Sequence, residues 1–311
     1  MAPRSPSWSA DGTAGMRVLV TGDRGKVGVP VAGYLRRSGY EVTGFDLADG
    51  ADVLDLAAVS RAALGCEAIV HLAALAHDNA GRPEQIMAVN VLGTWHVLLA
   101  AEAAGVSRVI CFSSTQVLGI AEGERLPDYF PVDDDHPRRA MRPYGLSKVL
   151  AEDLCAGFTA RTGIATICPR PVAVWNETRY ARVEALWRDQ PSAEWEPFWE
   201  YGAFVDARDV AAAVDLALSV PLQGHHRALL CAADIAGTGP SLELAARLAP
   251  GVPVTAPGRY LTDPCAALID CRAAETLLGW KAAYRWSGRG KDTADAVSAA
   301  DPPRPARPPT P

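Results

Sequence analysis

The fold is decided by one short stretch, Thr21-Gly22-Asp23-Arg24-Gly25-Lys26-Val27-Gly28. It follows the apolar run 18–20 and opens an amphipathic segment that ends near residue 37. A strand, a glycine turn and the start of a helix together present unpaired N–H groups and a partial positive charge, and glycine lets a phosphate approach the backbone. The spacing Gly-x-x-Gly-x-x-Gly therefore predicts a site for the pyrophosphate of a dinucleotide.

Asp46 ends the next apolar run, 41–45. A carboxylate at this strand end can accept hydrogen bonds from an adenosine ribose, and its charge would repel a 2′-phosphate. Arg24 and Lys26 lie inside the glycine loop, where their charges would instead attract a 2′-phosphate. The sequence therefore favours NAD as the cofactor and leaves NADP open.

Composition and charge narrow the class of protein. The chain has 311 residues, 49% of them hydrophobic, which suits a large α/β domain with or without a smaller lobe. A net charge of −6 gives no support for nucleic acid or an anionic membrane as partner. No apolar run reaches membrane-spanning length. Seven cysteines without a Cys-x-x-Cys pair are typical of a reducing compartment, so we expect a cytoplasmic protein without disulfides or a metal site.

Apolar runs and amphipathic segments alternate along the chain. This alternation predicts βαβ units and hence a Rossmann-type doubly wound parallel sheet, an α/β fold whose ligands bind beyond the carboxyl ends of the strands. The predicted strands are 17–21, 41–45, 68–72, 108–113, 164–168 and 227–231, and the predicted helices are 26–37, 56–64, 84–104, 145–161, 208–219 and 241–248. We expect a dinucleotide-binding domain at 16–170 with 204–235, a small C-terminal substrate lobe at 171–203 with 236–286, and disordered ends at 1–15 and 287–311.

Several of the strand ends carry residues suited to a cofactor. Asp52-Val53 is interpreted as the end of a further short strand, while His71-Leu72-Ala73-Ala74 and Ser113-Ser114-Thr115 follow two of the predicted strands. An Asp suits an adenine amino group and small residues suit the plane of a cofactor, although a turn and simple packing explain them equally well. His71 has no partner at ligand spacing, so it is interpreted as a structural residue.

Tyr144 and Lys148 lie four residues apart at the start of a predicted helix, and so project from the same face. A tyrosine with a pKa of about 10 is a poor base at neutral pH. A neighbouring ammonium and an oxidised nicotinamide would favour the phenolate. An exposed helix pair is the alternative, but a hydroxyl-bearing strand end one βα unit earlier favours a proton-transfer site.

In their order and spacing, these segments resemble the extended short-chain dehydrogenases/reductases of the NAD-dependent epimerase/dehydratase family, over roughly residues 16–286. Four further segments carry the resemblance: Asn90-Val91-Leu92-Gly93-Thr94, Arg170-Pro171, Phe204-Val205-Asp206-Ala207-Arg208-Asp209-Val210 and Leu278-Gly279-Trp280-Lys281. The resemblance implies that Tyr144 is the acid/base and that Lys148 lowers its pKa and holds the nicotinamide ribose. It also implies that Ser114 binds the substrate oxygen. The implied cofactor contacts are Lys26, Val27, Leu72, Ala73, Ala74, Asn90 and Val172, with a buried structural amide as the alternative for Asn90.

The chain also departs from the family pattern. Thr115-Gln116 stands where the sugar-nucleotide dehydratases have an Asp-Glu pair, so we expect no dehydration. The acidic run Asp133-Asp134-Asp135 is expected to be solvated. The segment between Pro171 and Phe204 is short and rich in tryptophan, suited either to a sugar face or to the core of a small lobe: Trp175, Trp187, Trp195 and Trp199.

Two mechanisms use the same groups. A dehydrogenase or reductase transfers hydride once between nicotinamide and a hydroxyl or keto carbon, whereas an epimerase returns the hydride to the other face and retains its NAD. The short lobe favours the first, on a sugar or similar small substrate, with nucleotide-sugar epimerisation as the alternative. A non-catalytic dinucleotide-sensing protein is a third hypothesis, which the Tyr144 and Lys148 pair argues against.

Helices 84–104 and 145–161 are long and apolar, and the resemblance implies that they pair with the same helices of a second subunit in a homodimer. The alternative is that one chain satisfies all of their apolar side chains: Val97, Leu98, Leu99, Val149, Leu150, Leu154 and Phe158.

Overall fold

A computed structural model describes residues 15–120, 125–190 and 200–287. Its centre is a parallel sheet of six strands in the order β2-β1-β3-β4-β5-β8. The strands are β1 (Arg17–Thr21), β2 (Glu41–Phe45), β3 (Ala68–His71), β4 (Arg108–Cys111), β5 (Ala165–Pro171), β6 (Val174–Trp175), β7 (Val205–Asp206) and β8 (His225–Leu230). The predicted Rossmann-type sheet is confirmed. From β1 the chain adds β2 on one side and then β3 on the other, so the order of strands switches direction at β1 while all strands stay parallel.

The helices cover both faces of the sheet. They are α1 (Gly28–Arg37), α2 (Leu56–Ala63), α3 (Pro83–Met87), α4 (Gly93–Ala104), α5 (Pro143–Thr162), α6 (Glu177–Asp189), α7 (Ala207–Ser219), α8 (Ser241–Leu248), α9 (Gly258–Thr262) and α10 (Arg272–Leu278). A π-helical turn, Ala88–Leu92, joins α3 to α4. α5 begins with proline at its first position and ends before Gly163 at φ 75°, because proline suits a first turn and glycine a left-handed cap.

Two apolar cores lie on opposite faces of the sheet. One packs α1 and α7 against it, and includes Val18 and Val20 from β1. The other packs α2, α4 and α5, and includes Leu19 from the same strand. Alternate residues of β1 thus enter opposite cores, which is the period-2 pattern of a strand covered on both faces.

A smaller aromatic core lies beside β6 and β7, which pair in parallel. Trp175 is 2% exposed and contacts Tyr180, Phe204 and Trp286 at ring-centroid distances of 5.0–6.1 Å. Trp175 therefore belongs to this core, the second of the two interpretations of the tryptophan-rich segment. Trp195 and Trp199 lie outside the described residues, as do the predicted disordered ends apart from Gly15 and Ser287.

Two details differ from the sequence-based expectations. Asp52 and Val53 form a turn, not a strand end, because the Asp52 carboxylate accepts a hydrogen bond from the Leu54 N–H at 2.9 Å.

The continuous helical segment Pro83–Ala104 is long and apolar enough to span a membrane, by length and composition alone. This finding corrects the expectation that no apolar run reaches membrane-spanning length. The core helix of a soluble protein passes the same test of length and composition, and 44% of this segment's most apolar window is buried inside the protein.

Candidate active site

The glycine loop lies where β1, β2 and β3 end. Gly22 has φ +74°, and its N–H donates to the Phe45 carbonyl at 2.8 Å. A Cβ on Gly22 would stand 2.5 Å from the Ala73 nitrogen, so only glycine allows the loop to touch the segment after β3. The structure thus brings the predicted cofactor residues of the loop together with Leu72, Ala73 and Ala74.

The start of α1 leaves donors available. Gly25 donates to the Gly22 carbonyl at 3.0 Å, and a Cβ on Gly28 would overlap that same carbonyl. Within the described chain, the N–H groups of Lys26, Val27 and Gly28 make no backbone hydrogen bond. Three unpaired donors at a helix N-terminus fit the pyrophosphate of a dinucleotide.

Asp46 ties the strand end to the glycine loop. One carboxylate oxygen accepts from the Arg24 N–H at 3.1 Å and the other from the Ala48 N–H at 2.8 Å. The Arg24 guanidinium contacts the Asp49 carboxylate through two nitrogens, at 2.8 and 3.3 Å. Because Asp49 already balances the charge of Arg24, this arrangement suits a ribose hydroxyl better than a 2′-phosphate.

Asn90 hydrogen-bonds both to the loop after β3 and to the start of α5. Its amide oxygen accepts from the Leu75 N–H at 2.8 Å, and its amide nitrogen donates to the Leu75 carbonyl at 3.0 Å and to the Ser147 hydroxyl at 2.9 Å. Ser147 in turn donates to the Tyr144 carbonyl at 2.6 Å. Asn90 therefore matches the structural alternative: it positions the loop after β3 and the start of α5, and a cofactor contact through its amide stays a prediction.

Two further residues predicted to contact the cofactor lie in separate parts of the fold. Val172 directly follows β5, is 4% exposed, and donates its N–H to the Leu230 carbonyl at 3.2 Å. Val53 is 5% exposed, and its carbonyl contacts the His96 ring at 3.0 Å. Both residues are fixed by packing, and their contacts to a cofactor stay predictions.

Ser114, Tyr144 and Lys148 come together at the end of β4 and the start of α5. The Ser114 side chain lies beside the Tyr144 phenol and lowers its pKa, and the Tyr144 N–H donates to Asp78 at 2.8 Å. The Lys148 ammonium donates to the Phe112 carbonyl at 2.8 Å and lies 5.9 Å from the centroid of the Tyr144 ring. The hydroxyl, phenol and ammonium can therefore act on one bound substrate.

The protein groups alone keep Tyr144 protonated. Burial, with the charges of Glu200 and Asp78, raises the pKa of Tyr144 to about 12 against the lowering effect of the Ser114 side chain. Burial also lowers the pKa of the Lys148 ammonium. Lys148 is not among the causes of the Tyr144 shift, so the lowering of the Tyr144 pKa by Lys148 that the resemblance implies stays a prediction. With its pKa raised, Tyr144 is protonated at neutral pH, and a positive charge beside it would favour the phenolate.

Glu200 was not found from the sequence, because 85 residues separate it from Thr115. One of its carboxylate oxygens accepts from the Thr115 hydroxyl, and the other accepts from the Ala173 N–H at 2.8 Å. Burial raises the pKa of Glu200, and these two hydrogen bonds lower it. A single carboxylate thus reaches the place where the dehydratases have two, and we retain the expectation of no dehydration.

A buried ion network supports the site from behind. Glu152 is 1% exposed, accepts from the Ser113 hydroxyl at 2.7 Å, and pairs with Arg170 through two contacts of 2.7 and 2.8 Å. Asp134 contacts Arg170 at 3.4 Å and accepts from the Leu229 N–H, so it is a partly buried partner and not the solvated residue expected. This network fixes Ser113, the neighbour of Ser114.

The profile of the NAD dependent epimerase/dehydratase family matches residues 18–231, a span that contains the glycine loop, Ser114, Tyr144 and Lys148. The chain belongs to this family. Membership confirms the family resemblance, and the family's NAD dependence agrees with NAD as the predicted cofactor. The roles of the individual residues of this epimerase/dehydratase family member stay predictions.

Two groups of curated relatives are similar to part of the chain. A uronate dehydrogenase of Pseudomonas syringae pv. tomato is 31% identical over an alignment of 184 residues, and the match covers 55% of this chain and 64% of the relative. A UDP-glucose 4-epimerase of Streptomyces lividans is 33% identical over an alignment of 170 residues, and the match covers 49% of this chain and 50% of the relative. The match thus spans less than two thirds of the length of either relative.

Solved structures extend the likeness to most of the fold. A short-chain dehydrogenase/reductase superfamily protein from Agrobacterium tumefaciens with bound NAD has a TM-score of 0.65 and 26% identity. The match covers 87% of this chain and 94% of that protein. MoeE5 in complex with UDP-glucuronic acid and NAD has a TM-score of 0.64 at 24% identity, over 86% of this chain and 94% of MoeE5, and shows the fold alone.

Proposed function

We propose that the protein is an NAD-dependent oxidoreductase that acts on a hydroxyl or keto carbon of a sugar or nucleotide-sugar. The observation that carries this proposal is the placement of Tyr144 beside Ser114 and Lys148, on the same sheet edge as the glycine loop. The names of the curated relatives, uronate dehydrogenase and UDP-glucose 4-epimerase, support a sugar as substrate.

The residues present fit NAD, and each group of them has a separate role. The glycine loop and the start of α1 would hold the pyrophosphate, Asp46 the adenosine ribose, and Lys148 the nicotinamide ribose. NAD supplies a hydride acceptor or donor when bound. Ser114 orients the reacting oxygen by a hydrogen bond, and Tyr144 gives a proton to that oxygen or takes one from it.

A single oxidation or reduction is our first choice, because the segment between β5 and the turn at Glu200 is short. Nucleotide-sugar epimerisation is the alternative, and the similarity to UDP-glucose 4-epimerases favours it. A non-catalytic dinucleotide sensor would not need the arranged hydroxyl, phenol and ammonium.

One experiment distinguishes these three functions. The purified protein is denatured, released dinucleotide is quantified, and the native protein is then assayed for NAD reduction with a panel of sugars, uronates and UDP-sugars. We expect little retained NAD and net NAD reduction with one of the substrates. Stoichiometric retained NAD with interconversion of UDP-sugars would establish the epimerase. NAD binding without any substrate turnover would establish the sensor.

We further propose a homodimer through one apolar surface on the π-helical turn, α4 and α5. Leu92 is 46% exposed and Leu150 is 45% exposed, whereas Val97, Leu98 and Phe158 are buried within the chain. The surface is formed by seven residues of these neighbouring segments and α3: Met87, Ala88, Val91, Leu92, Trp95, Leu150 and Leu154. An exposed apolar patch on two neighbouring helices suits a second copy of the chain.

Sedimentation at micromolar concentration should give twice the subunit mass, and Leu92→Glu with Leu150→Glu should halve it. Leu261→Glu, at a residue 86% exposed on α9, is the matched control and should leave the mass unchanged. A single subunit mass for the unmodified protein would refute the dimer.

We also propose a cytoplasmic location, since all seven cysteines are free and five of them are buried. Cell fractionation of a producing strain would test this.

A further inference from the structure

The turn at residues 200–203 carries Glu200 into the active site in a strained conformation. The Ala203 N–H donates to the Glu200 carbonyl at 3.0 Å, and the two residues between them have positive φ, 56° at Tyr201 and 74° at Gly202. Two successive left-handed residues define a type I′ turn. A tyrosine is uncommon in this region, and such strain persists only where the surroundings hold it.

Neighbouring elements hold this turn on both sides. The Tyr201 ring packs edge-on against Phe130 at 5.1 Å and is 4% exposed. The Gly202 carbonyl accepts from the Ala236 N–H at 2.8 Å, and a Cβ on Gly202 would stand 3.0 Å from the Ile235 side chain. The direction of Glu200 is therefore set by the fold before any substrate binds.

The carboxylate of Glu200 retains capacity for further hydrogen bonds. Within the described chain each of its oxygens has one donor, the Thr115 hydroxyl or the Ala173 N–H, whereas a carboxylate accepts about four. Thr115 directly follows Ser114, which lies beside Tyr144, and the charge of Glu200 acts on the Tyr144 phenol. The free acceptor positions therefore lie beside the reacting centre.

We propose that Glu200 and Thr115 form a subsite that accepts hydrogen bonds from sugar hydroxyls beside the reacting carbon, and so selects a neutral sugar over a uronate. The proposal rests on the proposed function and deepens it. A fixed carboxylate in a partly buried site repels a second carboxylate more strongly than it would in water. A hydroxyl donor fills the same place favourably, and a site built to hydrogen-bond a hydroxyl discriminates strongly against a group that cannot donate.

The test compares matched pairs of sugars on the NAD-loaded full chain. The pairs are glucose and glucuronate, galactose and galacturonate, and UDP-glucose and UDP-glucuronate, with affinity measured by calorimetry. We expect the neutral member of at least one pair to bind about tenfold more tightly, the effect of one such discriminating contact. Glu200→Gln should remove this preference, mainly by tightening the acidic member, because the amide keeps an acceptor oxygen but loses the charge.

Matched variants separate this effect from general charge or stability. Glu243→Gln, at an exposed residue of α8, makes the same charge change and should leave the preference intact. Should Glu200→Gln fail to fold, Thr115→Val removes the hydroxyl that orients the carboxylate and should weaken binding of the neutral member severalfold.

Three results would overturn the proposal. They are tighter binding of the acidic member by the unmodified chain, an unchanged preference in folded Glu200→Gln, and no binding of any pair member by protein that binds NAD. A neutral preference that disappears in Glu200→Gln, found in a protein that never reduces NAD, would instead support the subsite and contradict the proposed function.

Discussion

The two sides of the crevice are built from the sequence in different ways. On the cofactor side, Gly22 and Gly28 belong to one short loop, and Asp46 follows on the neighbouring strand. On the substrate side, Thr115 meets Glu200, which is 85 residues away along the chain. The cofactor side is thus a local motif, whereas the substrate side is assembled from separate segments.

This difference teaches which kind of function each side can encode. A dinucleotide presents the same phosphates and riboses to every enzyme that uses it, so one strand-turn-helix unit with a fixed spacing suffices. A substrate varies, and its contacts come from loops positioned by a rigid sheet. The predictions below test whether the cofactor side and the substrate side can be changed independently.

The largest effect is expected on the chemical step. Tyr144→Phe keeps the ring but removes the hydroxyl beside Ser114, so turnover should fall by about two to four orders of magnitude while NAD affinity is kept. Lys148→Met should lower both turnover and NAD affinity, because the ammonium is assigned to assist Tyr144 and to hold the nicotinamide ribose. Steady-state kinetics and an NAD titration check this. Tyr129→Phe, which removes a phenol hydroxyl that donates to Asp133 at 2.7 Å, is the control. Near-normal turnover of Tyr144→Phe would remove the acid/base assignment.

The network behind Ser113 should matter for stability. Glu152→Ala leaves the Arg170 guanidinium buried without its main partner, so the free energy of unfolding should fall by about 3–5 kcal/mol. Chemical denaturation measures this change. Glu102→Ala breaks an exposed pair with Arg161 and should have little effect. Equal midpoints for both variants would show that the buried network adds no stability.

Changes in the glycine loop should act mainly on the affinity for NAD. A methyl group at Gly28 would overlap the Gly22 carbonyl, so Gly28→Ala should weaken NAD binding about 10- to 100-fold, as expected for an overpacking cost of ~1–3 kcal/mol. Gly33→Ala in the same helix is the control, since its Cβ would meet only the flexible end of Arg37. Tight NAD binding by a folded Gly28→Ala protein would contradict the placement of the pyrophosphate.

The smallest effect concerns the choice between NAD and NADP. Asp46→Ala removes the charge expected to repel a 2′-phosphate, and the preference for NAD should narrow about tenfold, or ~1.4 kcal/mol. Asp49→Ala releases Arg24 and should shift the preference in the same direction by less, because that pair is exposed. Fluorescence titration with both reduced cofactors measures each ratio. Tighter NADP(H) binding by the unmodified chain would show that Arg24 or Lys26 dominates.

The sequence by itself determined the sheet, the glycine loop, the Asp46 strand end and the Tyr144/Lys148 pair. These features are local: they depend on the period of apolar residues, on glycine in a tight turn, and on a four-residue spacing in a helix. Tertiary structure alone decided that Glu200 reaches Thr115, that Asp134 and Glu152 enclose Arg170, and that Asn90 clamps Leu75. Burial also decided the direction of the Tyr144 pKa. The physical reason is that desolvation and long-range contacts depend on which segments the folded chain brings together, and that information is absent from the spacing of residues along one segment.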